Sequence, residues 1–338
     1  MSHAAFMTER AGIAPPIYAF NGDADGLCAL QQLRLTEGVQ ARLITGVKRD
    51  IHLLQRVSAK HREQVTVLDV SHDQNRDDVQ RLLDEGASLR YFDHHFAGEL
   101  PMHPRFTAHI NTAPDVCTSA LVNGYLGGRH VRWAIVGAYG DALTTLGEAL
   151  GRAHDIDAET LGQLAQLGLL LNYNAYGETV DDLHFAPEAL ADALLPFADP
   201  LAFTAADGTN GAGGVFAALS DGYRDDMTKA RALRAERDAP GAQLIRLPDA
   251  TWARRATGTL ANERLQHEPD RALAVLSPKS GGGFVVSLRV PAGCATGADD
   301  FCRQFETGGG RKRAAGINHL PEAEFDRFAA RFEAVFRV

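Results

Sequence analysis

The chain has 338 residues, of which 45% are hydrophobic and 23% charged, and its formal net charge is −9. This length allows two domains, and the composition is that of an ordinary globular protein. The negative charge argues against long duplex nucleic acid as a partner, because sequence-independent binding depends on neutralising many phosphates. A small phosphorylated ligand held by a few local arginines is still compatible with it.

The cysteines and the hydropathy pattern indicate the compartment. The four cysteines (Cys28, Cys117, Cys294, Cys302) include no Cys-x-x-Cys pair and suggest no disulfide framework. No stretch approaches the roughly 18 apolar residues of a membrane helix, and the N-terminus lacks the apolar segment of a signal peptide. We therefore expect a cytoplasmic protein without a membrane partner.

In the first half, short β-rich runs alternate with helical patterns. The predicted strands are 17–20, 41–45, 65–70, 89–92 and 107–110, and the predicted helices between them are 27–36, 52–58 and 77–85. Such alternation predicts a parallel α/β sheet, whose ligands bind beyond the carboxyl ends of the strands.

An acidic turn, Asn21-Gly22-Asp23-Ala24-Asp25-Gly26, separates the first strand from the first helix. Two carboxylates one residue apart repel each other unless a cation lies between them, and hard divalent ions take oxygen ligands. The alternative is a solvated turn in which an aspartate caps the helix, and this short pattern alone favours that alternative.

Other acidic residues and histidines cluster at later strand ends. Asp69 ends the third strand, and Asp93-His94-His95 ends the fourth. Asp141 lies within an apolar run, 131–151, that predicts one helix; a carboxylate there is costly to bury unless it is paired or bound to a metal. Three strand ends that converge on one ligand set favour a metal site over a solvated surface.

The second half has a different character. Helices are predicted at 159–174 and 187–197. The glycine-rich segment 207–214 lacks the Lys-Ser/Thr of a P-loop, which favours an interdomain loop. Strands at 244–247, 272–276 and 284–290, a hairpin turn at 280–283, and helices at 252–266 and 321–336 predict a small mixed α/β domain. We expect domains at 1–190 and 231–338, with a linker region at 191–230.

The ordered motifs resemble those of a known family. Asp23-Ala24-Asp25, Asp69-Val70-Ser71, Asp93-His94-His95 and Gly140-Asp141 resemble the four motifs of the DHH phosphoesterases. Ser287-Leu288-Arg289 and the run GGGRKRAAG at 308–316 resemble the associated C-terminal substrate-binding domain. The resemblance covers nearly the whole chain, whose length is similar to that of the compact nano-RNases, pAp phosphatases and cyclic-dinucleotide-related phosphodiesterases. It implies an α/β protein with an N-terminal parallel-sheet DHH domain, a smaller C-terminal mixed α/β domain and a cleft between them.

The resemblance also implies a ligand set. Two Mn²⁺ ions, with Mg²⁺ as the alternative, would activate water and neutralise charge on the phosphoryl oxygens. Asp69 would bridge the ions and Asp23 would serve the first. Asp25, His94 and Asp141 would serve the second.

Asp93 and His95 are the predicted catalytic pair. Adjacent residues on an extended segment point to opposite sides, so the three residues of the motif cannot all be equivalent ligands. Asp93 is expected to orient a neighbouring side chain. His95 is expected to face the substrate phosphate or the leaving oxygen, with a merely packed imidazole as the alternative.

One departure concerns the first metal site. Many compact family members carry a histidine four residues before the first aspartate, and this chain has Ala19 there. We expect Asn21 to substitute for that ligand, although an amide oxygen binds a hard cation more weakly than a carboxylate does.

A second departure concerns the phosphate site. Gly308, Gly309 and Gly310 are expected to form a concave anion-binding nest of backbone N–H groups, with Arg289 and Arg311 as phosphate ligands. Family members usually have a histidine at the position of Arg311. Arginine retains phosphate recognition but cannot act as an acid or base near neutral pH.

The sequence therefore predicts a metal-dependent, exonuclease-like phosphoesterase that acts on short oligonucleotides or phosphorylated nucleotides. A polyphosphatase or pyrophosphatase would need the same metals. A degenerate protein that binds nucleotides without cleaving them is the alternative from another class. The oligomeric state is open, with a homodimer as one alternative.

Overall fold

The computed structural model describes residues 15–38, 40–59, 62–206 and 214–337. The chain folds into two compact units, one comprising Met1–Asn172 and Phe185–Phe216 and the other Tyr173–His184 and Ala217–Val338. It passes between them after residues 172, 184 and 216. Of the predicted interdomain loop at 207–214, all but Gly214 lies outside the described residues, and the predicted domain boundaries remain predictions.

The first unit contains a five-stranded sheet in which all strands are parallel. The strands are β1 (Ile17–Phe20), β2 (Arg42–Ile44), β3 (Gln64–Leu68), β4 (Ser88–Asp93) and β5 (Phe106–Ile110), in the spatial order β2-β1-β3-β4-β5. All four residues of β1 are buried, as is typical of a parallel strand that is covered on both faces. The parallel α/β sheet predicted from the alternation of elements is confirmed.

Among the described residues, two α-helices of the first unit lie between its strands, and the others follow β5. Those that lie wholly or largely in the first unit are α1 (Ala24–Glu37), α2 (Arg76–Asp84), α3 (Thr118–Tyr125), α4 (Val131–Gly140), α5 (Thr144–Ala153), α6 (Ala158–Asn174), α7 (Pro187–Leu194) and α8 (Pro200–Thr204). The predicted helix at 52–58 is only a short 3₁₀ turn, Leu53–Arg56. Ile17 and Ala19 of β1 lie beside Val65 and Val67 of the neighbouring strand β3, and the four residues belong to one hydrophobic core cluster.

The single helix predicted at 131–151 is wrong, because the chain forms two helices there. α4 ends at Gly140, and Ala142 adopts a left-handed backbone conformation (φ 61°) that a continuous helix cannot contain. Asp141 is therefore the residue that caps the C-terminal end of α4, and it is not inside a helix.

The second unit is built on a mixed six-stranded sheet. Its strands are β6 (Arg237–Ala239), β7 (Ala242–Arg246), β8 (Ala272–Pro278), β9 (Phe284–Arg289), β10 (Gly308–Arg311) and β11 (Ala314–Leu320), in the order β10-β11-β9-β8-β7-β6. Only β7 and β8 pair in parallel. The helices are α9 (Val215–Arg231), α10 (Thr251–His267), α11 (Ala298–Cys302) and α12 (Phe325–Phe336). The mixed α/β architecture predicted for this half is confirmed.

Two segments of the second unit bear on the predictions, one a turn and the other a strand. The backbone N–H of Lys279 donates to the carbonyl oxygen of Gly283 (3.0 Å) in the hairpin between β8 and β9, where the turn was predicted. The glycines Gly308–Gly310 do not form the expected nest, because they lie in the edge strand β10, paired with β11. Extended backbone turns successive N–H groups to opposite sides, so they cannot converge on one anion.

Candidate metal centre

The acidic turn is buried and serves as a helix cap. Oδ1 of Asp23 accepts hydrogen bonds from the backbone N–H groups of Asp25 and Gly26, both at 3.1 Å, and so caps α1. Asp23 and Asp25 are each only 1% exposed. The alternative interpretation of this segment was a solvated turn in which an aspartate caps the helix. The aspartate does cap the helix, but the turn is buried.

Asp25 is held by the N-terminus of α3. Its Oδ2 accepts a hydrogen bond from the N–H of Thr118 and its Oδ1 from that of Ser119, both at 2.7 Å. Free N–H groups at a helix N-terminus favour a carboxylate in that position. Gly137 of α4 leaves room for the contact, since a Cβ there would overlap Oγ of Ser119 and lie 3.1 Å from Oδ1 of Asp25.

Asp69 follows β3 with a left-handed backbone conformation (φ 57°) and faces His94. Oδ1 of Asp69 accepts a hydrogen bond from Oγ1 of Thr118 (3.2 Å) and lies 3.4 Å from Nε2 of His94. The same Nε2 lies 3.6 Å from Oδ2 of Asp141. Nδ1 of His94 lies 2.8 Å from the carbonyl oxygen of Val116, so it carries the proton and leaves Nε2 as the ligand atom.

Asp93 lies behind the two histidines and is completely buried. Its Oδ1 accepts a hydrogen bond from the N–H of His94 (2.9 Å) and lies 2.7 Å from Nδ1 of His95. In the part of the chain that the structure describes, its Oδ2 has no hydrogen-bond partner. The side chain of His95 is 46% exposed, so its ring lies at the surface of the cluster.

Within the described part of the chain, two groups of three side chains could each hold an ion, with ligand atoms that lie within 4.8 Å of one another. One is Asp69, His94 and His95, and the other is Asp25, His94 and Asp141. Both groups use His94, and neither includes Asp23. Carboxylate and imidazole donors without thiolates suit Mn²⁺ or Mg²⁺, so the side chains around Nε2 of His94 fit a divalent ion.

The electrostatics of the cluster agree with a cation site. Burial, and then the charge of Asp69, raise the pKa of Asp25 to about 6. Burial, and then the charge of Asp23, raise the pKa of Asp69 to about 6. Burial and the charge of Asp25 also raise the pKa of Asp141. Buried carboxylates that resist ionisation in one another's presence are stabilised when a divalent cation joins them.

Lys48, which sequence analysis missed, contacts the same cluster. Its Nζ donates to Oδ2 of Asp23 (2.5 Å), to Oδ1 of Asn172 (3.0 Å) and to Oδ1 of Asp141 (3.4 Å). Burial alone would raise the pKa of Asp23, but the charge of Lys48 and its hydrogen bond hold that pKa below its usual value. Lys48 follows β2. A search for basic as well as acidic side chains after strand ends would therefore have identified it from the sequence.

Asn21, the expected substitute for the missing histidine ligand, is bonded within the acidic turn. Oδ1 of Asn21 accepts a hydrogen bond from the N–H of Asp23 (3.3 Å), within the turn itself. Ala19 is fully buried on the face of β1 that packs in the core.

The predicted phosphate ligands belong to the second unit. Arg289, at the end of β9, donates to Oδ1 of Asn262 (2.8 Å), Oγ of Ser287 (3.1 Å) and the carbonyl oxygen of Leu288 (3.0 Å). These acceptors are neutral, and burial lowers the pKa of the guanidinium. Arg311 ends the edge strand β10, next to the three glycines.

The comparisons with known proteins concern the fold. The chain matches no family model and no curated protein. Among solved structures, an exonuclease RecJ bound to manganese is 19% identical with a TM-score of 0.62, and the match covers 95% of this chain and 89% of that one. RecJ from Thermus thermophilus in complex with Mn²⁺ is 18% identical with a TM-score of 0.59, over 95% and 51% of the two chains.

A third solved structure is similar in length. The pGpG-specific phosphodiesterase PggH from Vibrio cholerae is 14% identical with a TM-score of 0.58, over 95% of this chain and 99% of that one. None of the helices among the described residues has the length and apolar character needed to cross a bilayer. The order of the elements, the two sheets and these likenesses together show that the chain has a RecJ-like fold.

Proposed function

We propose that the protein is a divalent-metal-dependent phosphoesterase that hydrolyses short oligonucleotides or phosphorylated nucleotides. The observation that carries this proposal is the gathering of Asp25, Asp69, His94 and Asp141 at the carboxyl edge of one parallel sheet. The fold supports it, because RecJ is an exonuclease bound to manganese and PggH is a phosphodiesterase specific for pGpG.

Asp25, His94 and Asp141 would hold the ion, with the carboxylate of Asp69 beside Nε2 of His94. A bound Mn²⁺ or Mg²⁺ would supply positive charge for the phosphoryl oxygens and lower the pKa of a coordinated water. The Val116 carbonyl fixes the ring of His94, and the backbone of α3 fixes Asp25. The ligand atoms are therefore positioned by the fold, which limits the reorganisation needed on binding.

His95 is our candidate for the proton donor to the leaving oxygen. Burial alone would lower the pKa of its imidazole, but the hydrogen bond to Asp93 and the charge of Asp69 outweigh burial and raise that pKa. The raised pKa favours the charged ring, in which Nδ1–H is directed to Asp93 and Nε2–H is available to a substrate. Its 46% exposed side chain argues against the merely packed imidazole.

We propose that Arg289 and Arg311 bind a further phosphate of the substrate, with the backbone of Gly308, Gly309 and Gly310 beside it. The neutral acceptors around Arg289 leave its charge uncompensated by them, which favours an anionic ligand. A Cβ on Gly309 would meet no atom within 4 Å, so an anion can come close to the backbone of this strand near Arg311. The four cysteines are free thiols, which agrees with the proposed cytoplasmic location.

The test is hydrolysis by the purified chain with Mn²⁺, Mg²⁺ or EDTA. The substrates are a 5′-phosphorylated dinucleotide such as pGpG, a nucleoside 3′,5′-bisphosphate and tripolyphosphate. The decisive variant is Asp69→Asn, because asparagine removes the charge yet tolerates the left-handed backbone at this position. We expect metal-dependent release of nucleoside monophosphate or phosphate, and a loss of about 10³-fold or more in the variant.

Asp155→Asn is the matched control, since Asp155 is an exposed aspartate that also has a positive φ (51°). It should leave activity unchanged. Full activity of Asp69→Asn would overturn the mechanism. Hydrolysis of tripolyphosphate alone would identify a polyphosphatase, and nucleotide bound but intact after long incubation with Mn²⁺ would identify a binding protein.

A further inference from the structure

The ammonium group of Lys48 lies against Asp23, the expected ligand of the first ion. Its ammonium group has three hydrogens, and three side-chain oxygens surround it, from Asp23, Asn172 and Asp141. The side chain of Asp23 is 2% exposed and that of Lys48 is 26% exposed. This is a largely buried ion pair, in which each charge stabilises the other against desolvation.

Apart from the carboxylate of Asp69, the groups around Asp23 do not provide ligands for a second divalent ion. One of its oxygens caps α1, and the other is bonded to Lys48. The amide oxygen of Asn21 accepts from the N–H of Asp23, and Ala19 offers a methyl group inside the core. An ion at this position would have to displace a charged amine to reach its first ligand.

The remaining donors provide for one ion at a time. Among the described residues, both candidate groups depend on His94, and its second ring nitrogen is bonded to a carbonyl oxygen. One Nε2 lone pair binds one cation. The two groups are therefore alternative positions for a single ion.

We infer that this protein binds one divalent ion per chain and that the ammonium group of Lys48 replaces the first ion of the two-metal arrangement. The inference rests on the proposed function, which needs a metal but not two. It assigns to Lys48 the stabilisation of the charge of Asp23, which the first ion would provide in the two-metal arrangement. Asn21 was expected only to replace a histidine ligand of that ion. Lys48 thus contributes a positive charge to the site.

The test counts Mn²⁺ ions bound to the full chain, by calorimetric titration and by elemental analysis after removal of free metal. Electron paramagnetic resonance then distinguishes an isolated Mn²⁺ from a coupled pair, whose ions lie about 3.5–4 Å apart in two-metal sites. We expect one ion per chain and the spectrum of an isolated ion for the unmodified protein. These measurements need no substrate and no turnover.

Lys48→Gln removes the charge while keeping a hydrogen-bond donor for Asp23. We expect this variant to bind a second ion, with an affinity at least about tenfold lower than that of the first. Lys48→Arg keeps the charge and should still bind one ion. Two coupled ions in the unmodified protein would overturn the inference while leaving the proposed function intact. If the unmodified protein bound no ion, the metal-dependent function would fail and the inference would fail with it. Lys48→Gln that is folded and still binds a single ion, with the affinity of the unmodified protein, would also count against the role of Lys48.

Discussion

Nδ1 of His95 lies 2.7 Å from Oδ1 of Asp93, a carboxylate with no exposed surface. The same oxygen accepts the backbone N–H of His94 at 2.9 Å. One buried carboxylate therefore orients the second histidine of the motif and fixes the backbone of the first. This arrangement gives Asp93 a positioning role, in agreement with the expectation that the three motif residues are not equivalent.

Asp93→Asn should lower kcat by about 10- to 100-fold with little change in KM. Asparagine can still accept the hydrogen bond, but it removes the charge that helps to raise the pKa of His95. If protonated His95 is the acid, activity falls as pH rises through its pKa, so that limb of the pH–rate profile should move to lower pH in the variant. An unmoved limb would show that His95 is not the titrating acid.

The close approach of α4 to α3 at Gly137 predicts how the metal ligand Asp25 can be disturbed from outside the ligand set. In Gly137→Ala the new methyl group would overlap Oγ of Ser119, whose backbone N–H holds Asp25. We expect Mn²⁺ affinity to fall at least about tenfold, and stability to fall by about 1–3 kcal/mol from overpacking. Calorimetric titration and thermal unfolding measure the two effects.

Gly124→Ala is the matched control for Gly137→Ala. Gly124 lies on α3, and a Cβ at that position would meet no atom within 4 Å. Alanine favours helix, so this variant should keep its metal affinity and gain up to about 1 kcal/mol of stability. Equal losses of metal affinity in the two variants would contradict the role of Gly137.

The sequence was sufficient for elements whose signal is local. The parallel sheet follows from alternating apolar runs and helical patterns, and β1 has the predicted bounds. The break between α4 and α5 could not be read from the sequence, because it depends on a left-handed alanine, Ala142, in an otherwise helical pattern. The strand formed by Gly308–Gly310 was missed because glycines favour turns, and only pairing with β11 makes them extended.

The site was predictable to the extent that it is carried by short motifs. The positions of Asp69 and His94 follow from where strands end, and the structure brings them within 3.4 Å. The contacts that tune the cluster are long-range: Lys48 is 25 residues from Asp23, and the N-terminus of α3 is 93 residues from Asp25. No local pattern encodes such pairings, which arise from the packing of distant segments.

Metal binding should release a proton from His94. Burial alone would lower the pKa of its imidazole, but the hydrogen bond and charge of Asp69 outweigh burial and raise that pKa to about 10. At pH 8 the metal-free ring is charged, and Nε2 must lose its proton to bind an ion. Calorimetric titrations with Mn²⁺ in buffers of different ionisation enthalpy should report about one proton released per chain; no dependence on the buffer would contradict it.

The stability gained from Mn²⁺ should be larger at pH 7 than at pH 5. The folded-state pKa values of Asp25 and Asp69 are about 6, against about 4 in an unfolded chain. The folded state thus binds more protons than the unfolded one between pH 4 and 6, and the contribution of these groups to stability falls as pH rises through that window.

A difference of about two units between the folded-state and unfolded-state pKa corresponds to on the order of 3 kcal/mol of unfolding free energy for one group. The two carboxyls share this effect because they interact. A bound cation removes this penalty. Thermal unfolding with saturating Mn²⁺ and with EDTA, at pH 5 and pH 7, measures the difference at each pH. A metal-induced rise in Tm that is equal at the two values would contradict the raised pKa values.

The ring of Phe96 offers a way to separate nucleotide from polyphosphate substrates. Phe96 follows His95 directly and is 73% exposed, while its carbonyl oxygen accepts a hydrogen bond from Oγ of Ser71 (3.1 Å). That bond ties the backbone of the histidine motif to the segment after Asp69, so the exposed ring is held next to the metal ligands. A nucleotide base gains about 1–3 kcal/mol by stacking on such a ring.

Phe96→Ala should therefore raise KM for a 5′-phosphorylated dinucleotide about tenfold and leave KM for tripolyphosphate, which has no base, unchanged. Met102→Ala, which truncates a fully exposed side chain a few residues further along, is the control and should change neither. Because the phosphate chemistry is common to both substrates, a loss confined to the dinucleotide can come only from contacts with the nucleoside. An equal loss on both substrates would instead show that Phe96 supports the metal ligands, and the stacking role would fall.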